Sequence, residues 1–227
     1  MKVDDTSTQP EMAQRLKQAL AQLGLHLPDV AQQRLVQYVL ELSKWNRTYN
    51  LTAVRDVDQM LVQHVFDCLA LLPSIKAYET DRSTHFDRIA DIGSGAGLPA
   101  VVIAICRPQT KVISVDAVEK KSAFVRHVAN TLGLVNLSAL HQRVEQVNSP
   151  LVDVVVSRAF ASLAKFVGLA QAMVAPGGVI AAMKSKMLDE ECKELEHSGL
   201  PWVVDRIDSV RVPELDATRA VAWLKRK

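Results

Sequence analysis

The segment Asp91-Ile-Gly-Ser-Gly-Ala-Gly97, followed further on by Asp116, constrains this chain more than any other feature. The run Arg88-Ile-Ala-Asp91 reads as a short buried strand, and Leu98 to Cys106 is apolar and reads as the helix beyond. Gly93, Gly95 and Gly97 make the turn between them. Glycine at alternate positions strips side chains from that turn and lets a ligand approach the backbone closely. The helix start adds unpaired N–H groups and the positive end of the helix dipole. A second strand, Lys111-Val-Ile-Ser-Val115, ends in Asp116. Strand ends of a parallel sheet share one edge, so Asp116 is expected beside the glycine turn. A carboxylate there can accept both hydroxyls of a ribose.

The spacing discriminates between ligands. A dinucleotide fold wants Gly-x-Gly-x-x-Gly. Here Gly97 follows Gly95 by only two positions, and Asp91 precedes Gly93 by two. That pattern resembles the S-adenosylmethionine (SAM) site of Rossmann-like methyltransferases. On that resemblance Asp91 faces the amino-acid end of the ligand, which carries an ammonium. The competing reading is a tight turn that binds nothing. The strand, the helix and Asp116 in the right order weigh against it.

Composition sets broad limits. The chain of 227 residues suits one domain with an extension, and 48% apolar residues suffice for a substantial core. Aromatics at 5% offer no obvious stacking platform for single-stranded nucleic acid. A net charge of +2 neither demands nor excludes a nucleic-acid partner, because local patches can bind. Cys68, Cys106 and Cys192 are far apart, odd in number and without metal-ligand spacing. His26, His85, His127, His141 and His197 add none, so no metal is expected. A reducing compartment follows from the cysteines. Residues 1–10 lack the apolar core of a leader, and no uncharged apolar run of membrane length is present. The expectation is a cytoplasmic monomer with no membrane contact.

The organisation changes near residue 87. Residues 1–9 read as a disordered tail and 10–76 as a helical extension. Pro10 opens a first helix that Gly24 ends. A second follows Pro28 with the apolar stripe Val30, Leu35, Tyr38, Val39, Leu42 and Trp45. A third runs from Asp56 to just before Pro73. Residues 77–87 are polar and read as a linker to a SAM-binding domain over 88–227. Strands are read at 88–92, 111–115, 137–141, 152–157, 178–184, 202–211 and 219–225, and helices at 97–106, 119–132, 162–174 and 187–197. The alternation predicts an α/β fold, a seven-stranded, mostly parallel, Rossmann-like sheet covered on both faces. Pro176-Gly-Gly178 is expected between a helix and the fifth strand, and the last two strands as a hairpin.

Several segments together carry a family resemblance. They are Lys44-Trp-Asn-Arg-Thr-Tyr-Asn-Leu-Thr52, Met60-Leu-Val-Gln-His64 with Asp67, Asp91 to Pro99, Asp116, Arg143-Val-Glu145, Ser157-Arg-Ala-Phe-Ala-Ser162 and Ala182-Met-Lys184. The chain resembles the bacterial methyltransferases that modify N7 of one guanine in 16S ribosomal RNA, the glucose-inhibited division protein B family. The resemblance implies a class I SAM-dependent enzyme that releases S-adenosylhomocysteine and acts on the small ribosomal subunit. It places Asp91, Gly93, Gly95, Gly97 and Leu98 against the methionine and adenosine sides of the cofactor. It puts Asp116 on the ribose, Val144 and Glu145 by the adenine, and Arg158 at the methyl-transfer point. Departures are mild: Pro99-Ala100 where a small residue often stands, and Ala117 where serine is common.

The residues agree with that target. Methylation of an exocyclic amine usually needs an (Asp/Asn)-Pro-Pro-aromatic segment after the fourth strand, and Ser157-Arg-Ala-Phe160 stands there instead. Methylation of pyrimidine C5 needs a cysteine at a strand end, and none is so placed. Guanine N7 has a lone pair and no proton, so alignment alone suffices; alignment supplies about 7–11 kcal/mol of a barrier. Arg158 can bond to guanine O6, a phosphate or the SAM carboxylate, but not to N7, whose lone pair must react. Its competing role is an ion pair with a nearby carboxylate.

Candidates for ribosomal RNA contact are Lys44, Asn46, Arg47, Arg55, His64, Lys184, Lys186 and Arg219, against the reading that they are ordinary surface residues. Asn46 and Asn50 either share a helix face or cap its end. Trp45 and Tyr49 are expected to pack against the sheet, and His64 with Asp67 to join the extension to the sheet domain. The alternative functions are a SAM-binding module without catalysis, a methyltransferase for another RNA or a small molecule, and an NAD-linked oxidoreductase. The glycine spacing disfavours the last.

Overall fold

A computed structural model describes residues 8–147, 151–158, 160, 162–184 and 188–227. Helix α1 (Gln9–Gln22) starts at Gln9, within the expected tail; residues 1–7 of that tail lie outside the described residues. Thr8 N donates to Glu11 Oε2 at 2.8 Å and fixes the first turn. Helix α2 (Asp29–Tyr49) buries Leu35, Tyr38, Val39 and Leu42 and stops at Asn50, whose φ of 47° is left-handed. Asn50 is therefore a cap, not a member of a continuing face. Helix α3 (Val57–Met60) is capped by Asp56, which accepts from Gln59 N at 2.8 Å. A π-helical segment (Leu61–Phe66), helix α4 (Asp67–Leu69) and helix α5 (Leu71–Asp81) follow.

The third helical stretch thus does not stop before Pro73. Pro73 sits in the first turn of α5, where a backbone N–H has no intrahelical partner to lose. The expected linker is corrected as well. Residues 77–81 are helical, and Tyr78 and Glu79 are buried. Glu79 accepts from Arg107 Nη1 at 2.9 Å, Arg107 Nη2 at 2.5 Å and Phe86 N at 2.8 Å. A polar side chain bound on every side reads like a linker residue in sequence and is core in the fold. The stretch Val57–Asp81 is long and apolar enough to cross a membrane, but 78% of its most apolar window is packed inside the fold.

Among the described residues, seven strands form one sheet: β1 (Arg88–Ile92), β2 (Lys111–Asp116), β3 (Leu137–His141), β4 (Val152–Ser157), β5 (Val174–Lys184), β6 (Trp202–Arg211) and β7 (Thr218–Arg226). Their order is β3-β2-β1-β4-β5-β7-β6, with β7 antiparallel to both neighbours and the rest parallel. The order reverses between β1 and β4, and a ligand crevice belongs at the carboxyl ends of those strands. Helices α6 (Ala100–Cys106), α7 (Glu119–Leu132), α8 (Leu163–Ala170) and α9 (Leu188–His197) cover the sheet.

Boundaries on either side of the sheet also differ from expectation. Helix α6 starts at Ala100 because Gly93, Gly95 and Gly97 have φ of 67°, 61° and 86°, outside the right-handed helix. Helix α8 ends at Ala170 and β5 begins at Val174, so Pro176-Gly-Gly178 lies within the strand. Val152 pairs with Val174 and Val154 with Val179, so residues 175–178 bow out of the ladder opposite Asp153. A Cβ at Gly178 would stand 2.8 Å from Asp153 O, so only glycine fits.

The extension is continuous with the sheet. Leu16, Leu35, Tyr38 and Leu42 share one apolar core with Val101, Ile103, Val125 and Trp223. Across the sheet, Ile92, Val155, Phe166, Trp202 and Leu224 form a second.

Candidate active site

The glycine turn is tied to β2. Gly93 N and Ser94 N donate to Val115 O at 2.9 and 3.1 Å. Asp91, next to last in β1, is fully buried. Its Oδ2 accepts from Ser94 Oγ at 2.6 Å and from Ala100 N at 3.0 Å, closing the turn and capping α6 with one oxygen. Its Oδ1 is buried and has no hydrogen-bond partner among the described residues. Burial pushes the Asp91 carboxyl up to about 7, against the opposing pull of Ser94, Ala100 N–H and the Arg158 charge. A buried carboxylate oxygen with an unused lone pair is a place for a cationic donor. A Cβ at Gly97 would meet Val101 Cγ2 at 2.5 Å and Val125 Cγ2 at 3.1 Å, whereas at Gly95 nothing lies within 4 Å. The turn is therefore packed on its helix side and open at Gly95.

Asp116 lies where the sequence placed it. Its Oδ2 accepts from Gly95 N and its Oδ1 from Val118 N, both at 2.8 Å. An ionised carboxylate has about four acceptor positions, so capacity remains for two hydroxyls. Lys121 Nζ stands 4.0 Å away. Gln142 N donates to Asp116 O at 3.2 Å, which draws the loop after β3 to the same rim. Val144 opens the short 3-10 turn Val144–Gln146 there and is half-buried; Glu145 is exposed. Leu98 is buried beneath the turn. Ser157 Oγ donates to Ile92 O at 2.7 Å and locks the ends of β4 and β1 together.

One contributor went unread in the sequence. Tyr38, fully buried on α2, donates its hydroxyl to Ala96 O at 2.8 Å, in the middle of the glycine turn. In the sequence it is one residue of an apolar stripe. The available signal was the hydroxyl itself, since a buried tyrosine needs a partner.

Arg158 follows β4 and is paired. Its Nη1 donates to Asp67 Oδ2 at 2.6 Å, the ion pair that competes with a ligand role, and to Gln63 O at 3.3 Å. Arg219 Nε donates to the other oxygen, Asp67 Oδ1, at 2.9 Å. Asp67 thus joins the extension to the sheet domain, but not through His64. The π-helical segment needs more residues per turn than an α-helix, so positions three apart are rotated further away from each other. His64 instead shares a 2.9 Å hydrogen bond between its Nε2 and Thr52 Oγ1. Burial, then the Arg158 charge, pushes His64 down to about 4, so the ring is neutral.

The RNA candidates divide. Lys44, Arg47 and Arg55 are exposed. Asn46 and His64 are buried and hydrogen-bonded within the chain, which corrects their reading as surface contacts. Asn46 Nδ2 donates to Val54 O and its Oδ1 accepts from Thr52 N, each at 2.9 Å. The Trp-Asn-x-x-x-Asn-Leu-Thr segment is thus a device for folding the loop after α2. Lys184 is also buried; its Nζ donates to Phe160 O at 2.9 Å and lies 2.6 Å from Glu191. It binds the loop after β4 rather than standing free for phosphate. Arg219 is half-buried on Asp67, and Lys186 lies outside the described residues. Trp45 packs on α7, 5.5 Å from the Phe124 ring and 5.0 Å from His127, rather than on the sheet. Cys68 is buried, and burial raises its thiol to about 12, which removes it as a nucleophile. No cluster of three metal-ligating side chains exists among the described residues.

Comparison with known proteins matches residues 31–221 to a family model described as GidB, rRNA small subunit methyltransferase G. The chain is 48% identical over 226 residues to a ribosomal RNA small subunit methyltransferase G of Bordetella avium, covering 97% of both chains. It is 49% identical to the protein of the same name in Bordetella pertussis, covering 94% of this chain and 93% of that one. Among solved structures it is similar to a SAM-dependent methyltransferase from Geobacter sulfurreducens in complex with S-adenosyl-L-homocysteine. The TM-score is 0.51 at 12% identity, over 69% of this chain and 91% of the other. That likeness is one of fold.

Proposed function

The chain belongs to the rRNA small subunit methyltransferase G family, and from that premise we propose that it methylates N7 of a guanine in 16S ribosomal RNA, with S-adenosylmethionine as donor, in the cytoplasm and as a monomer. The observation that carries the donor site is the buried, unpartnered Oδ1 of Asp91 at the end of β1. It fits an ammonium, and the residues around it fit the rest of the donor. Asp116 has acceptor capacity for the ribose hydroxyls while it holds Gly95 N and Val118 N. The open side of Gly95 admits close approach to the backbone. Val144 and Glu145 stand on the same rim for the adenine. When bound, S-adenosylmethionine supplies an activated methyl group.

The protein's task is then alignment. Guanine N7 has a lone pair and no proton, so no side chain has to take one. This agrees with a site whose histidine is neutral and hydrogen-bonded and whose cysteine stays a thiol. Arg158, anchored through Nη1, has Nε and Nη2 without acceptors among the described residues; those donors suit guanine O6 or a phosphate. Lys44, Arg47 and Arg55 offer an exposed basic margin on the extension for RNA phosphates.

The test is labelled methyl transfer to small subunits that lack N7 methylation, with the product mapped to a base atom. The wild type is expected to label guanine N7. Asp116→Ala is expected to weaken SAM binding at least about tenfold, since charge-assisted hydrogen bonds contribute about 1.5–3 kcal/mol each. Arg158→Lys is expected to lower turnover, because an ammonium cannot reproduce the planar fork. A label on another atom, or none, would overturn the reading.

A further inference from the structure

At Asp67 three separate chain segments meet through charge at the carboxyl rim. It is 6% exposed and stands on α4, in the extension. Arg158 follows β4, and Arg219 lies near the start of β7, beside the Lys184–Ala220 pair that ends β5. β5 separates the two arginine-bearing strands. Two guanidiniums would repel each other there. A single carboxylate takes both, one on each oxygen, at 2.6 and 2.9 Å. Both of its oxygens are committed, and the pair of arginines retains one uncompensated positive charge.

We infer that Asp67 is a positioning residue for methyl transfer: it clamps Arg158 by Nη1 beside Arg219, so that the Nε and Nη2 donors of Arg158 are held toward the reacting base. The inference rests on the reading of Arg158 given under the proposed function. It assigns Asp67 no contact with substrate. A guanidinium on a flexible stem is worth little to alignment unless something fixes its plane, and a displacement of about 1 Å at a reacting centre can cost about a hundredfold in rate. Gln63 O, which accepts a second bond from the same Nη1 at 3.3 Å, steadies that plane from the adjoining π-helical segment. The neighbouring His64 is turned away to Thr52 and adds no competing charge.

The experiment compares full-length wild type, Asp67→Asn, the double variant Asp67→Asn/Arg219→Gln, and Glu79→Gln. Glu79 pairs with Arg107 at the opposite, amino-terminal end of the sheet and serves as a structural control. Steady-state methyl transfer to small subunits, SAM affinity by calorimetry and thermal midpoint are measured for each. Asp67→Asn is expected to lose at least about tenfold in kcat while SAM affinity stays within about threefold. Glu79→Gln is expected to lower the midpoint with kcat unchanged. The double variant removes one of the two mutually repelling charges; it is expected to regain stability but not rate, which keeps the test decisive if the single variant folds poorly. Wild-type kcat in Asp67→Asn, or full recovery of kcat in the double variant, would reduce Asp67 to a charge-balancing residue and overturn the inference. Absence of N7 product from the wild type would instead strike the functional reading itself.

Discussion

Replacing Tyr38 with phenylalanine tests whether the extension shapes the donor site. The change removes one oxygen from a fully buried ring and leaves its packing in place. Ala96 O then loses the donor that stood 2.8 Å away. A buried carbonyl left without its partner costs about 1–3 kcal/mol. In a chain of this size that lowers the thermal midpoint by about 2–4 °C per kcal/mol, or roughly 2–12 °C. The same loss has a second consequence. Ala96 stands between Gly95 and Gly97, two residues whose positive φ gives the turn alternatives that side-chain-bearing residues would not have. If the hydrogen bond selects the binding-competent turn, up to the full 1–3 kcal/mol appears in the affinity for SAM, a weakening of about five- to 150-fold. Calorimetric titration with SAM and a melting curve on the same preparation separate the two effects. A lower midpoint with SAM affinity within about twofold of wild type would refute the argument, because the turn would then be held without Tyr38.

Gly97→Ala is expected to destabilise the protein by about 2–5 kcal/mol, the sum of left-handed backbone strain and overpacking. The overpacking is against Val101 Cγ2, 2.5 Å from the new Cβ. Adding Val101→Ala relieves the overpacking but not the φ of 86°, so chemical denaturation should show only partial recovery. Asp91 makes a pH prediction. Its folded pKa is raised to about 7 from an ordinary carboxyl value, so between pH 4 and 7 the folded state binds more protons than the unfolded one. Its contribution to stability therefore falls as pH rises through that window. Binding of an ammonium favours the ionised form, so SAM affinity should strengthen toward pH 7 and release a proton. Titrations in buffers of different ionisation enthalpy measure that proton, and an Asp91→Asn variant with the same pH slope would assign it elsewhere.

What could be read from the sequence was what depends on local order. Strand β1, the glycine turn and Asp116 are consecutive features, and parallel pairing brings them together without further information. The seven strands followed from alternation for the same reason. The missed boundaries each depend on a distant segment. Asp153 opposite Gly178 makes glycine necessary where Pro176-Gly-Gly178 bows out of β5, and Arg107 decides that Glu79 belongs to the core. Polar side chains depend on distant segments in the same way. Asn46, His64 and Lys184 look like surface contacts until Val54, Thr52 and Phe160 fold against them. Residue type predicts exposure only when no partner is available, and partners come from tertiary structure.

The same contacts settle how the extension relates to the sheet domain. An RNA-gripping appendage needs only a tether, and its removal should leave a working donor site. Here α2 supplies the hydroxyl that holds Ala96, and α4 supplies the carboxylate that holds Arg158 and Arg219. At the opposite sheet end, α5 is fixed through Glu79 to Arg107. The apolar core runs through both parts without a break. Deleting the extension would expose that core, free the glycine turn on one side and leave two arginines facing each other uncompensated. The extension is therefore part of the framework of the glycine turn and the carboxyl rim, and the exposed Lys44, Arg47 and Arg55 lie on the same helices and loops.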